Sequence, residues 1–368
     1  MRLTLIISSL DAGGAERVMT NLANYWVEHN HEVCLLTFDM GERPAAYRLD
    51  QRVNRIRLAL VGDSANTLAA VKQNLRRLFK LRAAILQSRP QCVISFMGTT
   101  NVLAVLAASG TNIPVIVSER SDPSSNHIGR EWDRLRTITY KRAARVVAPT
   151  ARILSSLAPQ IRSRGTVIPN PVLPPSVETD PAERSDCLIS VGRLGREKGF
   201  DILLAAFAKV HKVYPSWKLM IVGEGVLRKD LESLAEQLGI AGSLKFVGQV
   251  NNPEDYLVKA SIFVMASRYE GFPNALCEAM GCGLAVIHTD CPTGPREIIR
   301  DGFDGILVPT ENADALAEAI SKLITDEELR RTLGHNARRI TERFGIDEVM
   351  RQWEALLNNV VRQTSAVS

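Results

Sequence analysis

The chain has 368 residues, of which 45% are hydrophobic and 23% charged, and it carries a formal net charge of +5. That length exceeds what one hydrophobic core usually supports, and the composition is that of a soluble globular protein without long repeats or low-complexity tracts. The six cysteines lie in or beside apolar runs with no C-x-x-C spacing, and no H-E-x-x-H occurs, so they read as reduced core thiols rather than a zinc site.

In chain order, the first apolar run is "LTLIIS". It is broken at Asp11, Gly13 and Gly14, too soon for a spanning helix and without the look of a signal peptide, which predicts a cytoplasmic protein. The following loop, "SSLDAGGAERVM", sets Gly13 and Gly14 at the mouth of a helix. Two readings stand there: a tight strand-to-helix turn, or a backbone approach to an anion at free helix N–H groups. The loop is not G-x-G-x-x-G, and only Asp39 in "LLTFDM" is an acid at the end of a second strand, which weighs against a dinucleotide cofactor. Further strands are predicted at "EVCLLTF", "CVISF", "PVIVS" and "RVVAP".

Between Asp63 and Glu119 no acidic residue occurs, while Lys72, Arg76, Arg77, Lys80, Arg82 and Arg89 do. Leu68, Val71, Leu75, Leu78, Phe79 and Leu86 recur at helical spacing, so one amphipathic helix with its cations on the opposite face is predicted. Such a face is either simply solvated or turned to an anionic membrane surface or phosphorylated acceptor. Few aromatics interleave with the charges, so nucleic acid is not the expected partner.

The stretch 170–186, "NPVLPPSVETDPAERSD", is rich in proline and polar residues and reads as a linker. The alternation of strands and helices restarts after it with "CLISVG", "WKLMIVG", "LKFVG", "SIFVMAS", "LAVIH" and "GILVP". Two doubly wound parallel α/β domains are therefore predicted, residues 1–170 and 171–345, facing a deep cleft. Residues 346–368 form a terminal helix with no strand of its own, expected to pack back onto the first domain.

Chemistry is sought in the loops after strands. "VGRLGREKGFDILL" offers Arg193 and Lys198, either an ordinary exposed basic loop or a grip on a diphosphate. "SRYEGFPNALCEAMGCG" places Glu270 and Glu278 eight residues apart, a spacing that Glu224 and Glu232 share by chance. Eight helical residues span about 12 Å, too far for the roughly 5–9.5 Å between the carboxyls of a glycosidase, but suited to hydroxyls at the two ends of a sugar nucleotide. The loop "HTDCPTGPREII" adds Gly294 and Pro295 before a helix. No D-x-D occurs, so cationic side chains rather than a metal ion are expected to neutralise a diphosphate.

These segments together resemble the retaining GT-B glycosyltransferases of family 4, along essentially the whole chain, and most nearly the branch that lengthens polyprenyl-diphosphate-linked glycans with N-acetylgalactosamine. The resemblance implies a hexosyltransferase that uses a nucleotide sugar, UDP-linked by the family's bias, with no cofactor and no metal. It implies that Glu270 contacts the donor hexose, Glu278 the ribose, and Arg193 with Lys198 the diphosphate, while Gly13, Gly14, Gly294, Pro295 and Arg296 line the donor. It further implies a lipid-diphosphate-linked or polysaccharide acceptor met by Lys72, Arg76, Arg77 and Lys80, at the inner face of a membrane. Many members of the family carry a histidine after the strand read here as "PVIVS". This chain has Glu119 and Arg120 there, which are expected to meet the acceptor, Arg120 through a phosphate or the acceptor itself, with His127 a distant substitute. A GT-B sugar-nucleotide epimerase, a non-catalytic sugar-nucleotide-binding protein and an NAD-dependent oxidoreductase remain as alternatives.

Overall fold

The computed structural model describes residues 1–40, 44–60, 67–123, 128–177 and 180–366, with the backbone alone at 67–72 and 365. The chain divides into one unit of Met1–Pro171 with Val349–Ser368 and a second of Val172–Glu348.

Among the described residues the first unit holds a seven-stranded sheet in the order β3-β2-β1-β4-β5-β6-β7. Its strands are β1 (Arg2–Ile7), β2 (Glu32–Thr37), β3 (Asn54–Arg57), β4 (Cys92–Phe96), β5 (Val115–Ser118), β6 (Arg145–Ala148) and β7 (Gly165–Val167). Helices α1 (Gly14–Glu28), α2 (Thr67–Ser88), α3 (Gly98–Ala108), α4 (Arg130–Thr139), α5 (Ala151–Ser156) and α6 (Pro159–Arg162) connect them. Every pairing is parallel, as strands joined by helical crossovers require. The central strands are buried on both faces, which is why β1, β2 and β4 read as unbroken apolar runs.

The second unit repeats the plan in six strands, β8 (Ser185–Val191), β9 (Lys218–Val222), β10 (Leu244–Gly248), β11 (Ala260–Met265), β12 (Ala285–Thr289) and β13 (Ile306–Val308), in the order β10-β9-β8-β11-β12-β13. Consecutive residues point to opposite faces, so Leu188 and Ile262 join one core with Phe207 and Leu316, while Ile189 and Phe263 join another with Leu276 and Met280. The helices are α7 (Phe200–Val213), α8 (Arg228–Gln237), α9 (Glu254–Leu257), α10 (Asn274–Gly281), α11 (Pro295–Ile298), α12 (Ala313–Thr325), α13 (Glu327–Ala337) and α14 (Ile340–Phe344), followed by α15 (Ile346–Ser365). From Val349 onward α15 belongs to the first unit, where buried Trp353 meets Trp26 of α1 edge to face at 6.1 Å and the Trp26 indole N–H donates to Glu354 at 2.7 Å.

Three details differ from the sequence reading. Strands β3 and β7 carry too few apolar residues to announce themselves and lie at the two sheet edges. The proline-rich segment is partly fixed: Val172 is buried and donates its N–H to the Phe344 carbonyl at 2.7 Å. In α2 the buried contacts come from Leu81, Ala84 and Ile85, whereas Leu75, Phe79 and Leu86 are 50%, 67% and 46% exposed. The apolar stripe assigned from spacing is thus partly turned outward, and apolar and cationic residues share that surface. All six cysteines are free and buried.

Candidate functional site

In an open parallel sheet the strand order reverses at one point, and the loops leaving the two strands there diverge to leave a crevice beyond their carboxyl ends. In the second unit that point lies between β8 and β11, so the loops 192–198 and 266–271 become neighbours. Gly199, at φ 62, closes the first loop. A Cβ on it would stand 2.0 Å from the Ala266 carbonyl oxygen, so only glycine allows the loops this close. The approach brings Lys198 Nζ to Glu270 Oε1 at 2.6 Å, and the same carboxylate oxygen accepts from Ser267 Oγ at 2.6 Å.

Glu270 is 8% exposed and Lys198 18%. Burial works to raise the Glu270 carboxyl, but the Lys198 charge and hydrogen bond, with that of Ser267, outweigh it and hold the group below its ordinary range. The site therefore presents a fixed carboxylate with one oxygen occupied by protein donors. The loop after β12 joins it: Thr293 Oγ1 donates to the Glu270 carbonyl, and Gly294 at φ 92 crosses Pro273 so closely that a Cβ would sit 2.8 Å from its Cδ.

Other residues singled out from sequence are less gathered. Arg193 lies in the same loop, 75% exposed, with both Nε and Nη2 donating to Glu197 at 3.0 and 2.6 Å. Glu278 is half-buried on α10. Pro295 opens α11, and the exposed Arg296 pairs with Asp290 through both carboxylate oxygens. The pair of equal spacing, Glu224 and Glu232, clamps Arg228 with its carboxylates, and Glu224 meets the 192–198 loop through its backbone carbonyl, which accepts from Leu194 N–H at 3.0 Å.

Two residues here escaped the sequence reading. Arg268 donates to both oxygens of Asp201 at 2.8 and 2.7 Å, to the Arg196 carbonyl at 2.9 Å and to Glu311 at 2.5 Å, while its own N–H donates to the Glu197 carbonyl at 2.8 Å. It braces the 193–198 loop against the strand end that carries Glu270. His288, fully buried on β12, donates Nδ1–H to the Thr289 carbonyl at 2.7 Å and is pushed down to about 4 by burial, so it is neutral at ordinary pH. The only signal in the sequence was their position at strand ends.

In the first unit the reversal lies between β1 and β4. Gly13 is the extended N-cap of α1, and a Cβ on it would strike the Glu16 carboxylate, which burial raises above its ordinary range. After β4, Met97 holds φ 78, a left-handed conformation worth about 1–3 kcal/mol of strain in a non-glycine residue. After β5, Glu119 is buried and raised by burial, accepting from Tyr140 Oη at 2.6 Å. The Tyr140 oxygen in turn accepts from Asn101 at 2.8 Å, and Arg136 stands 3.9 Å from the carboxylate. Glu119 is thus tied into the interior of its own unit.

Arg120 differs. Its guanidinium lies 3.7 Å above the Phe96 ring and Nη1 donates to Asn170, but the buried Nε and Nη2, the edge that grips an anion side-on, have no hydrogen-bond partner among the described residues. Burial lowers its pKa to about 9. His127 lies outside the described residues. On α2, Arg76 and Lys80 are exposed, Arg77 donates to the Leu60 carbonyl at 2.9 Å, and the side chain of Lys72 is outside the described set.

Among the described residues no three His, Cys, Asp or Glu side chains gather as a metal-holding group, and no helix is long and apolar enough to cross a membrane.

Residues 13–171 match the family described as "Glycosyl transferase 4-like domain", and residues 177–340 match "Glycosyl transferases group 1". The chain is 29% identical, over 98% of its length and 99% of the relative's, to an α-1,4-N-acetyl-D-galactosaminyltransferase of Campylobacter jejuni named for a diNAcBac-PP-undecaprenol-linked acceptor. It is 26% identical, over 97% of its length and 99% of the relative's, to the amylovoran biosynthesis glycosyltransferase AmsD of Erwinia amylovora. In fold it is similar to HepE of Anabaena in complex with UDP, with a TM-score of 0.81 at 19% identity over 98% of this chain and all of that one. It is also similar to sucrose-phosphate synthase of Thermosynechococcus elongatus, with a TM-score of 0.84 at 20% identity over all of this chain and 99% of that one. Two parallel doubly wound units and two family matches that together span most of the sequence make this chain a glycosyltransferase of the GT-B, family 4-like group.

Proposed function

We propose that the chain transfers a hexose or N-acetylhexosamine from a UDP-sugar to a lipid-diphosphate-linked or surface-glycan acceptor, with retention of configuration and without a metal ion. The observation that carries the reading is the Lys198–Glu270 contact at the reversal point of the second sheet. Glu270 has one oxygen held by Lys198 and Ser267 and a second to offer a donor hydroxyl. Lys198 and Arg193 would neutralise the diphosphate, Glu278 would bind the ribose diol, and the Gly294–Arg296 turn would meet the sugar or the β-phosphate.

In the reaction the acceptor hydroxyl oxygen bonds to the anomeric carbon as the bond to the UDP oxygen breaks on the same face, and the hydroxyl proton passes to a phosphate oxygen of the departing UDP. The protein supplies position and charge. Gly13 and Gly14, at the mouth of α1, would offer backbone N–H groups to a phosphate, and Arg120 would give its free edge to a phosphate. Leu75 and Phe79, exposed beside Arg76 and Lys80, suit a peripheral seat on an anionic bilayer, where apolar insertion and cation attraction add. The names of the relatives in Campylobacter jejuni and Erwinia amylovora accord with such acceptors.

The test is thermal stabilisation by UDP, GDP and NAD, each in excess chelator, for the wild type and for Glu278→Gln, followed by sugar transfer to a polyprenyl-diphosphate glycan. A ligand at about a hundred times its Kd adds about 2.7 kcal/mol, plain in a melting curve. Stabilisation by UDP that the substitution removes is the expected result. Stabilisation by NAD, or UDP binding indifferent to Glu278, would overturn the assignment, and a changed free sugar without acceptor would identify an epimerase.

A further inference from the structure

We propose that a second anion site, independent of the donor site, lies in the arginine-lined cavity at the amino-terminal edge of the second sheet, and that it takes a phosphate-bearing ligand. The cavity, about 270 Å³, is framed by Arg184 just before β8, Ser261 at the start of β11, Gly283 before β12, and the α13 face bearing Arg330, Arg331 and His335, with Arg338 just beyond it. These strands are parallel, so their amino ends lie at the opposite edge of the sheet from Lys198 and Glu270.

Arg184 is the floor. It donates Nη1 and Nη2 to the carbonyls of Gly283 and Cys282 at 2.7 and 2.6 Å, while its buried Nε has no hydrogen-bond partner among the described residues. A buried donor left unpaired costs free energy, and the Arg184 side chain lines the cavity, so its charge acts on an anion seated there. Arg338 is packed on Gly283 so tightly that a Cβ there would come 2.4 Å from its Nε. Burial, then the neighbouring Arg338 charge, lower the Arg184 pKa, with Asp180 opposing. Two guanidinium groups therefore stand together beside the cavity, where an anion would be drawn to both charges. Arg330 spends Nη1 on the Leu323 carbonyl at 2.6 Å, and Arg331 pairs with Glu327 at 2.9 Å on the rim. Among the described residues Glu327 is the one acid lining the cavity against four arginines. The volume falls below the 300–1,000 Å³ of drug-sized pockets and suits a phosphate or diphosphate group with a small substituent.

The experiment is titration calorimetry of inorganic pyrophosphate into the full chain, with circular dichroism to confirm folding of each variant. Binding should survive in Lys198→Ala, which removes a proposed donor-site cation, and weaken about tenfold or more, equivalent to ~1.4 kcal/mol, in Arg331→Glu and Arg184→Gln. A parallel arm measures sedimentation with phosphatidylglycerol–phosphatidylcholine vesicles. Vesicle capture lost in Arg331→Glu, without pyrophosphate binding, assigns the phosphate to a lipid headgroup, and pyrophosphate binding without capture assigns it to a free ligand. Folded Arg331→Glu and Arg184→Gln that bind both probes as the wild type does, or pyrophosphate binding abolished by Lys198→Ala with no Arg331-dependent capture, would overturn the proposal. A failure of UDP to bind would leave it untouched.

Discussion

Lys198→Met should cost about 3 kcal/mol of folding stability and nearly all affinity for UDP. Breaking a buried ion pair from one side costs roughly 3–5 kcal/mol because a charge is left without compensation. Here the stranded group is Glu270, 8% exposed, which keeps its Ser267 hydrogen bond, and Lys198 itself is 18% exposed, so the low end of that range applies. Glu270→Gln leaves an amide that still accepts from Lys198 and should cost about 1–2 kcal/mol. The double variant should lose less than the sum of the two by about 1–2 kcal/mol, because its second change removes the stranded charge. The sign of the pH dependence follows from the depressed Glu270 carboxyl. Its stabilisation is present above the unfolded carboxyl range near 4.3 and disappears as pH falls through the lower folded value. Urea unfolding of the four proteins, at pH 7 and at about pH 3 where folding permits, measures each quantity. A Lys198→Met cost under about 1 kcal/mol, or a gap to wild type that persists unchanged into acid, would show that the pair is screened by solvent, and the argument for a fixed carboxylate would fail.

Gly199→Ala should lose at least about 2 kcal/mol, since it meets both a left-handed backbone and the Ala266 carbonyl, and UDP affinity should fall with it in a binding titration. His288, carried from 6.5 down to about 4, contributes ~3 kcal/mol that is complete above pH 6.5 and is lost as pH drops towards 4. Denaturant midpoints across that window should slope steeply in the wild type and less in His288→Asn. Arg120→Met should change the melting temperature little, because the guanidinium it removes is buried with one edge unpaired, yet lower sugar transfer more than about tenfold. Transfer at the wild-type rate would leave that edge without a functional reading.

The frame was legible in the sequence because parallel strands covered on both faces are apolar over most of their buried length, and β1, β4, β8 and β11 are. The same logic pointed to Lys198 and Glu270, which follow the carboxyl ends of the two strands flanking the reversal. The exposed stripe of α2 was misread for a physical reason: Leu75, Phe79 and Leu86 and the chain's actual core contacts at Leu81, Ala84 and Ile85 both recur at helical spacing, and periodicity does not say which set faces the sheet. Arg268 was invisible because its partners stand 67 and 43 residues away. Tyr140 and Asn101, which hold Glu119, are 39 residues apart and share no motif. Nor could spacing separate Glu270 and Glu278 from Glu224 and Glu232, since only the second pair has Arg228 between its members.

The return of α15 to the first unit has a consequence for biosynthesis and for engineering. The second unit, Val172–Glu348, is an insertion within the first rather than an appendage to it. Its sheet can therefore be complete while the first unit still lacks Trp353 and the other core residues of α15, which follow the second unit in the chain and are synthesised after it. A fragment ending at Pro171 would leave Trp26 without its indole neighbour and its Glu354 acceptor. A chimera that exchanges the second unit is accordingly best cut twice, near 171 and near 348, so that the recipient keeps its own α15.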